Sequence, residues 1–142
     1  MAATIPGDRK IDSKNNKRTV VLIEPDIPVR EALNVLLEGE GWQVCCLDGC
    51  DELDAVIRDQ SVVAVISESS LPDCTPQEVL ERCSKYELPV VFTGHDLSLQ
   101  GAVDLIRLGA TDFLDKPFPQ SRLLDLLAKL DKGQNRSSTR NP

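Results

Sequence analysis

Residues 19–39 read TVVLIEPDIPVREALNVLLEG, and this stretch contains the patterns of one strand and one helix in succession. Its first five residues form a continuous apolar run, rich in β-branched side chains, which is typical of a parallel strand covered on both faces. The following segment has helical periodicity and ends at glycines 39 and 41. Its apolar face consists of Val29, Ala32, Leu33, Leu36 and Leu37. The stretch therefore predicts a β-strand followed by an amphipathic α-helix.

The same strand–helix pair repeats along the rest of the chain. The runs VVAVI at 62–66 and PVVF at 89–92 predict two more buried strands, and weaker strand patterns lie at 43–47 and 112–114. A segment with helical periodicity follows each run; the apolar residues of the fourth are Leu99, Ala102, Val103 and Ile106. Five alternations predict an α/β fold, a doubly wound parallel five-stranded sheet with helices on both faces. Periodicity alone does not decide the order of the strands.

Composition and charge limit the classes of function. Residues 1–18 and 132–142 are polar and are predicted to be flexible tails around one domain at 19–131. The net charge of −7 disfavours binding to nucleic acids or to anionic membranes. No apolar run approaches the roughly 18 residues that span a bilayer, and the N-terminus lacks the apolar core of a signal peptide. A cytoplasmic location is therefore expected.

The chain has five cysteines, and their spacing forms no regular disulfide framework. We expect reduced, partly buried thiols, as is usual in cytosolic proteins. The alternative is a metal or redox site at Cys45, Cys46 and Cys50, although no second C-x-x-C pair accompanies them and His95 is the only histidine of the chain.

A set of mostly polar residues directly follows the predicted strands, at the edge where ligands bind in open parallel sheets. After the first, third, fourth and fifth strands, this set comprises Glu24, Pro25, Asp26, Glu68, Thr93, Lys116 and Pro117. Carboxylates, a hydroxyl and a lysine are thus expected to converge at one edge of the sheet.

Three motifs in this set are specific in combination: EPDIPVREAL at 24–33, FTGH at 92–95 and GATDFLDKPF at 109–118. Together they resemble the receiver domain of two-component response regulators, especially that of nitrogen-fixation transcription regulators, over about residues 19–131. The resemblance implies a flavodoxin-like (βα)5 fold with strand order 2-1-3-4-5. It also implies that Lys116 and Pro117 are the family's Lys-Pro pair with a usually cis bond. Thr93 matches the hydroxyl that closes strand four, and Phe113 matches the aromatic switch residue.

The resemblance also implies a phosphorylation site, and the sequence departs from the family pattern at its three acidic positions. The family's aspartate nucleophile lies four residues before the proline of a Met/Leu-Pro pair; counting back four from Pro72, this chain has Glu68. The two acids that hold Mg²⁺ correspond to Glu24 and Pro25, and a proline supplies no side-chain oxygen to an ion that requires near-octahedral oxygen ligands. Asp26 lies one position after Pro25, and it is either a substitute metal ligand or a helix-capping residue. We therefore expect the Mg²⁺ site to be lost, with no other metal or cofactor.

These residues predict a stand-alone pseudo-receiver that is not an enzyme. Its output is expected to go through protein–protein interaction, because only residues 132–142 follow the last helix. The expected partner is a protein such as a histidine kinase or a downstream regulator, bound through the face from Leu97 to Leu130; a homodimer is an alternative. Glu68 is expected to form a partly buried ion pair with Lys116, either as an imitation of the phosphorylated state or as the remnant of a decayed site.

The sequence also allows two other functions. One is a phospho-accepting single-domain response regulator that uses atypical acids, at Glu68 itself or at a neighbour such as Asp73. The other is a small flavodoxin-like enzyme or nucleotide binder. The stiff, acidic loop after the first strand disfavours it, because phosphate-binding loops need glycines and free backbone donors.

Overall fold

The structure is a computed structural model that describes residues 18–95 and 97–140, with side chains described as far as residue 132. Five strands alternate with five helices along the chain. The strands are β1 (Thr19–Ile23), β2 (Gln43–Leu47), β3 (Val62–Glu68), β4 (Val90–Gly94) and β5 (Asp112–Asp115). The helices are α1 (Ile27–Gly39), α2 (Leu53–Asp59), α3 (Pro76–Ser84), α4 (Leu99–Arg107) and α5 (Gln120–Arg140).

All five strands are parallel and lie in one sheet in the order β2-β1-β3-β4-β5. The predicted fold class and strand order are confirmed. The chain reverses its direction of travel across the sheet after β2, so the carboxyl ends of β1 and β3 lie beside each other at the switch point. In the register of β1 and β3, Ile23 pairs with Ser67, which brings the residues after each strand to the same edge.

The sheet separates two apolar layers, as expected for strands that are covered on both faces. One layer contains side chains of α1 and α5, including Leu37, Leu123 and Leu127, packed against Val20 and Leu22 of β1. The opposite layer contains side chains of α2, α3 and α4 packed against the alternate residues of the same strands. Across the described ranges, every helix is too short or too polar to span a lipid bilayer.

The buried face of α4 differs from the predicted apolar stripe. Leu105 is its buried residue, whereas Leu99 is 82% exposed and Ile106 is 44% exposed. Helical periodicity identifies an apolar stripe but not the part of it that faces the sheet, and here the stripe is wider than the area that β5 and its neighbours cover. Leu99 and Ile106, which belong to the predicted apolar stripe, therefore lie outside the core.

Two features lie at the ends of the predicted domain. Residues 1–17 of the predicted N-terminal tail lie outside the described residues, but Arg18 is held by an ion pair to Asp131 at 2.6 Å and by stacking over Trp42 at 4.5 Å. At the other end, α5 continues to Arg140, past the predicted tail boundary at residue 132. A helix that is already nucleated by its packed first turns propagates through polar residues at little cost, which explains the extension.

Candidate functional site

Three ionisable residues meet at the carboxyl edge of the sheet. The Nζ atom of Lys116 donates hydrogen bonds to Oε1 of Glu24 at 2.7 Å and to Oε1 of Glu68 at 2.5 Å. Both carboxylates are nearly enclosed, since Glu24 is 2% exposed and Glu68 is 8% exposed. The three residues therefore form a buried ionic cluster, here called the Lys116 cluster.

The strands position each member of the Lys116 cluster. Glu24 directly follows β1, Glu68 is the last residue of β3 and Lys116 directly follows β5. The backbone N–H of Lys116 donates to the carbonyl of Gly94 at 2.7 Å, which extends the pairing of β5 with β4 by one more bond. Because parallel strands end at the same edge, residues far apart in sequence are brought into contact.

The pKa of Lys116 reflects two opposing effects. Burial alone would lower this pKa, but the hydrogen bonds to Glu24 and Glu68, together with the negative charges of both, raise it above its ordinary value. The lysine is therefore fully charged at neutral pH. One ammonium group faces two carboxylates, so the cluster carries a net negative charge when all three groups are ionised.

The second oxygen of each carboxylate is also engaged. Oε2 of Glu24 accepts a hydrogen bond from the backbone N–H of Asp26 at 3.1 Å. Oε2 of Glu68 accepts one from the backbone N–H of Ser70 at 2.9 Å and a longer one from the hydroxyl of Ser69 at 3.5 Å. Both carboxylates are thus held in fixed orientations.

The residues that match the family's switch positions surround Glu68. Thr93 is buried and lies directly opposite Glu68 in the register of β3 and β4. Phe113 is partly buried and packs against the core layer of α2, α3 and α4. The Lys116–Pro117 peptide bond is cis, as the resemblance implied.

A Cβ added at Gly94 would meet the hydroxyl of Ser69 at 2.5 Å, so the end of β4 tolerates only a glycine without local movement.

Asp26 lies outside the Lys116 cluster. Its side chain accepts a hydrogen bond from the backbone N–H of Val29 at 3.3 Å and caps the N-terminus of α1, where the next residues are Ile27 and Pro28. The side chain is exposed. This contact agrees with the capping interpretation of Asp26, because an aspartate at this position satisfies a helix N–H that otherwise has no partner.

The comparison with known proteins gives the family. The response regulator receiver domain matches residues 20–128. The chain belongs to this family. The matched residues include the motifs around Glu24, Thr93 and Lys116.

Two of the relatives that the chain matches are transcriptional regulatory proteins. The transcriptional regulatory protein FixJ of Bradyrhizobium diazoefficiens is 32% identical over 78% of this chain and 55% of its own length. The C4-dicarboxylate transport transcriptional regulatory protein DctD of Pseudomonas aeruginosa is 38% identical over 75% of this chain and 23% of its own length. This receiver domain thus spans about half or less of the relatives that it matches.

A solved structure supports the fold. The signal receiver domain of a LuxO repressor protein from Vibrio parahaemolyticus superimposes with a TM-score of 0.80, at 22% identity, over 89% of this chain and 98% of its own. At this level of identity, the likeness establishes the flavodoxin-like fold that the two domains share.

The side chains at the site of this receiver domain do not fit the Mg²⁺ ion that the family resemblance implies. Mg²⁺ needs near-octahedral oxygen ligands at about 2.0–2.1 Å. Pro25 provides no side-chain oxygen, and the facing oxygens of Glu24 and Glu68 are both bonded to Lys116. Within the described residues, three potential ligand atoms approach one another at metal-binding distances at Cys50, Asp73 and Cys74, a group that includes neither glutamate.

Cys50 and Cys74 form a pair that their spacing in the sequence did not indicate. Cys50 and Cys74 are joined as a disulfide, whereas Cys45, Cys46 and Cys83 are free. The expectation of reduced thiols is therefore wrong for this pair, and Cys45 and Cys46 do not combine with Cys50. The two cysteines follow β2 and β3, which lie on either side of β1. Because these two strands are not neighbours in the sheet, the strand order did not predict that the cysteines are in contact.

Proposed function

We propose that this protein is a pseudo-receiver: a receiver domain that acts by binding a protein partner, with little or no Mg²⁺-dependent phosphorylation. The observation that carries the proposal is the Lys116 cluster, in which one ammonium group is bonded to Glu24 at 2.7 Å and to Glu68 at 2.5 Å. In this arrangement, the lysine supplies the positive charge that a bound cation would otherwise provide between the two carboxylates.

The position of Glu68 argues against efficient phosphorylation. Its two carboxylate oxygens both accept hydrogen bonds, one from Lys116 and one from the backbone N–H of Ser70, and these bonds draw electron density away from the attacking group. The side chain is also one methylene longer than aspartate, which displaces the attacking oxygen by about 1 Å. A displacement of this size can reduce a rate by about 10²-fold.

Charge argues in the same direction. Phosphoryl transfer depends mainly on positioning and on neutralisation of the negative charge of the transferred group. With two carboxylates and one ammonium, the Lys116 cluster retains a net negative charge, which repels an incoming phosphoryl donor. The site therefore lacks the surplus of positive charge that the reaction requires.

Other carboxylates are poor substitutes for the nucleophile. Asp26 caps α1 and is exposed. Asp73 accepts a hydrogen bond from the backbone N–H of Cys50 at 3.1 Å and is turned toward the loop after β2. Neither contributes to the hydrogen bonds of Lys116, so phosphorylation at atypical acids has no observation in its favour. The loop from Glu24 to Asp26 likewise offers no glycine-rich cradle for a nucleotide.

The surface around α4 is the proposed partner site. Leu99, Ile106 and Leu108 are all exposed apolar side chains within the predicted face from Leu97 to Leu130. Receiver domains interact with histidine kinases and with downstream effectors. We propose that this face binds such a protein in the cytoplasm, or a second copy of the chain, because exposed apolar side chains clustered on one element are typical of interaction surfaces.

The test is direct phosphorylation by a small donor. The protein is incubated with acetyl phosphate or phosphoramidate and Mg²⁺, and its intact mass is then measured beside a receiver domain that is known to accept phosphate. We expect no phosphate adduct under conditions that modify the control receiver. An adduct of one phosphate that disappears in Glu68→Ala would overturn the proposal, and one that disappears in Asp73→Ala would establish an atypical acceptor instead.

A further inference from the structure

A second chemical site is formed by two cysteines on different loops. Cys50 lies between β2 and α2, and Cys74 lies between β3 and α3. Their sulfur atoms are paired, their Cα atoms are 6.9 Å apart, and 24 positions separate them in sequence. A disulfide usually joins Cα atoms about 4.4–6.8 Å apart, and beyond about 7 Å a bridge requires backbone movement, so this pair lies at the upper limit.

Contacts that do not involve sulfur hold the two loops together. The backbone N–H of Cys50 donates to Oδ2 of Asp73 at 3.1 Å, and Arg82 donates to the carbonyl of Cys50 at 2.7 Å. The loops also approach closely, because a Cβ added at Gly49 would lie 2.7 Å from the carboxylate of Asp73. These contacts keep the sulfur atoms adjacent whether or not a bond joins them.

The two sulfurs differ in accessibility. Cys50 is 2% exposed, whereas Cys74 is only partly buried. A small thiol or disulfide in solution therefore reaches Cys74 first, and Cys50 is placed to attack the product. This is the usual division between an attacking and a resolving cysteine.

The remaining cysteines compete poorly for such reagents. Burial, reinforced by the charge of Asp54, raises the pKa of Cys83 to about 12. Burial also raises the pKa values of Cys45 and Cys46. Because the thiolate is the reactive form, a raised pKa slows their reaction near neutral pH.

We propose that Cys50 and Cys74 form a reversible disulfide that exchanges with low-molecular-weight disulfides such as glutathione disulfide. The thiolate of Cys74 attacks one sulfur of glutathione disulfide, breaks its S–S bond and releases one glutathione thiolate. The thiolate of Cys50 then attacks the Cys74 sulfur of the mixed disulfide and releases the second. The two protein sulfurs lose two electrons, one glutathione disulfide gains them, and the two thiol protons pass to the released glutathione thiolates.

This proposal goes beyond the proposed pseudo-receiver function. It does not depend on whether Glu68 is phosphorylated, but the reversibility of the bond rests on the cytoplasmic location proposed with that function. The cysteine pair and the Lys116 cluster are connected through the loop after β3. Cys74 lies on this loop, and the backbone N–H of Ser70, on the same loop, donates a hydrogen bond to Oε2 of Glu68. The bond fixes this loop to the loop after β2. Cytosolic disulfides are usually transient or redox-sensing, and in the cytoplasmic location proposed above, reversibility follows from that rule.

The experiment is a redox titration of the full chain. The protein is equilibrated with mixtures of reduced and oxidised glutathione, denatured, alkylated with N-ethylmaleimide and weighed by intact mass. We expect all five cysteines to be alkylated in reducing mixtures and two fewer in oxidising mixtures. Cys50→Ser and Cys74→Ser should lose this difference, whereas the control Cys46→Ser, at an exposed free cysteine, should retain it.

Two further measurements separate the proposal from its rivals. Cys50→Ser should trap glutathione on Cys74, and Cys74→Ser should trap much less, because Cys50 is buried. The oxidised protein should melt about 10 °C above the reduced protein, since the bond closes a loop of moderate length in the unfolded chain.

Alkylation of all five cysteines in every mixture would overturn the proposal, as would an unchanged difference in Cys74→Ser. Protection of Cys50 and Cys74 by Zn²⁺ alone, lost in Asp73→Ala, would identify a metal site in place of a disulfide, because Asp73 and the two sulfurs lie at metal-binding distances.

Discussion

The ammonium group of Lys116 lies 2.5 Å from a carboxylate oxygen of Glu68, and the same group lies 2.7 Å from a carboxylate oxygen of Glu24. Because both glutamates are buried, each depends on the lysine for neutralisation. An ion pair of this kind contributes modestly compared with an apolar replacement, but the loss of one partner leaves an uncompensated charge in the interior.

We therefore expect Lys116→Met to destabilise the domain by about 3 kcal/mol, the typical cost of breaking a buried ion pair from one side. Methionine retains the apolar stem of the side chain, so the loss reports on charge more than on packing. The free energy of unfolding is measured by urea denaturation. The matched control is Lys85→Ala, which removes a lysine that is 64% exposed and lies 3.8 Å from Asp54; its cost should not exceed about 0.5 kcal/mol.

A combined variant identifies the cause of that loss. Addition of Glu24→Gln and Glu68→Gln to Lys116→Met removes the two unpaired charges and should recover at least half of the lost stability. If the triple variant is less stable than Lys116→Met alone, the lysine contributes through packing and the electrostatic account of the Lys116 cluster is wrong.

The raised pKa of Lys116 makes stability depend on pH in the alkaline range. The folded state binds this proton more tightly than the unfolded state, whose pKa is 10.5. The contribution of Lys116 is therefore complete below pH 10.5 and is lost as the pH rises through the higher pKa of the folded state. Between these two values, stability should fall by up to about 1.4 kcal/mol per pH unit for this one proton.

The measurement is urea denaturation of the wild type and of Lys116→Met from about pH 9 to about pH 12, the range around the reference pKa of lysine. All other ionisable groups are common to the two proteins, so the difference between the two curves isolates Lys116. The stability advantage of the wild type should shrink as the pH rises. A constant difference across the range would show that the cluster does not hold the proton of Lys116.

Much of the fold and part of this cluster could be predicted from the sequence. β1 and β2 have the predicted bounds, because continuous or alternating apolar runs specify a strand directly. The meeting of Glu24, Glu68 and Lys116 also followed, since each comes at the end of a parallel strand. Their distances did not follow, because the direction of a side chain within a buried edge is decided by packing and by backbone donors such as Ser70.

The remaining features depend on three-dimensional contacts that no local pattern encodes. Leu99 and Leu105 both belong to the broad apolar surface of α4, about 120° apart around the helix, and the position of the helix over the sheet decides that Leu105 is buried. Likewise, Cys50 and Cys74 approach across the end of β1 through the course of two loops, held by Asp73 and Arg82. Spacing along the chain carries no information about either outcome.

The donor set at the site leads to a prediction for Mg²⁺. We expect about 10 mM Mg²⁺ to leave the melting temperature of the wild type unchanged within about 1 °C, because a ligand stabilises a protein only when it binds the folded state. The double variant Pro25→Asp/Glu68→Asp restores a carboxylate beside Glu24 and shortens the one at position 68. It should gain a Mg²⁺-dependent increase of a few degrees, about 4 °C for a dissociation constant near 1 mM.

Two controls accompany this measurement. Asp26→Asn should behave as the wild type toward Mg²⁺, since Asp26 caps α1 instead of facing the Lys116 cluster. Titration with K⁺ at matched ionic strength corrects for screening of the overall negative charge. A wild-type shift of more than about 2 °C that disappears in Glu24→Gln would mean that Lys116 yields its position to the cation.

The exposed stripe of α4 gives the last prediction. Leu99→Glu and Ile106→Glu should change the free energy of unfolding by about 0.5 kcal/mol or less, because both side chains lie outside the core: Leu99 is 82% exposed and Ile106 is 44% exposed. Leu105→Ala, one residue before Ile106, should cost about 2–5 kcal/mol, because it creates a cavity beneath the same helix. Urea denaturation of the three variants compares the two sides of α4 directly.

The same variants test the proposed partner face. Sedimentation velocity of the wild type over a range of concentrations measures self-association, and Leu99→Glu/Ile106→Glu should abolish any that occurs, since a buried charge opposes an apolar contact. The control Val35→Glu changes an equally exposed apolar side chain on α1, at 70% exposure, and should have no effect on it. Equal losses in both variants would indicate non-specific association through apolar surface, whereas a loss confined to α4 would identify this helix as the contact.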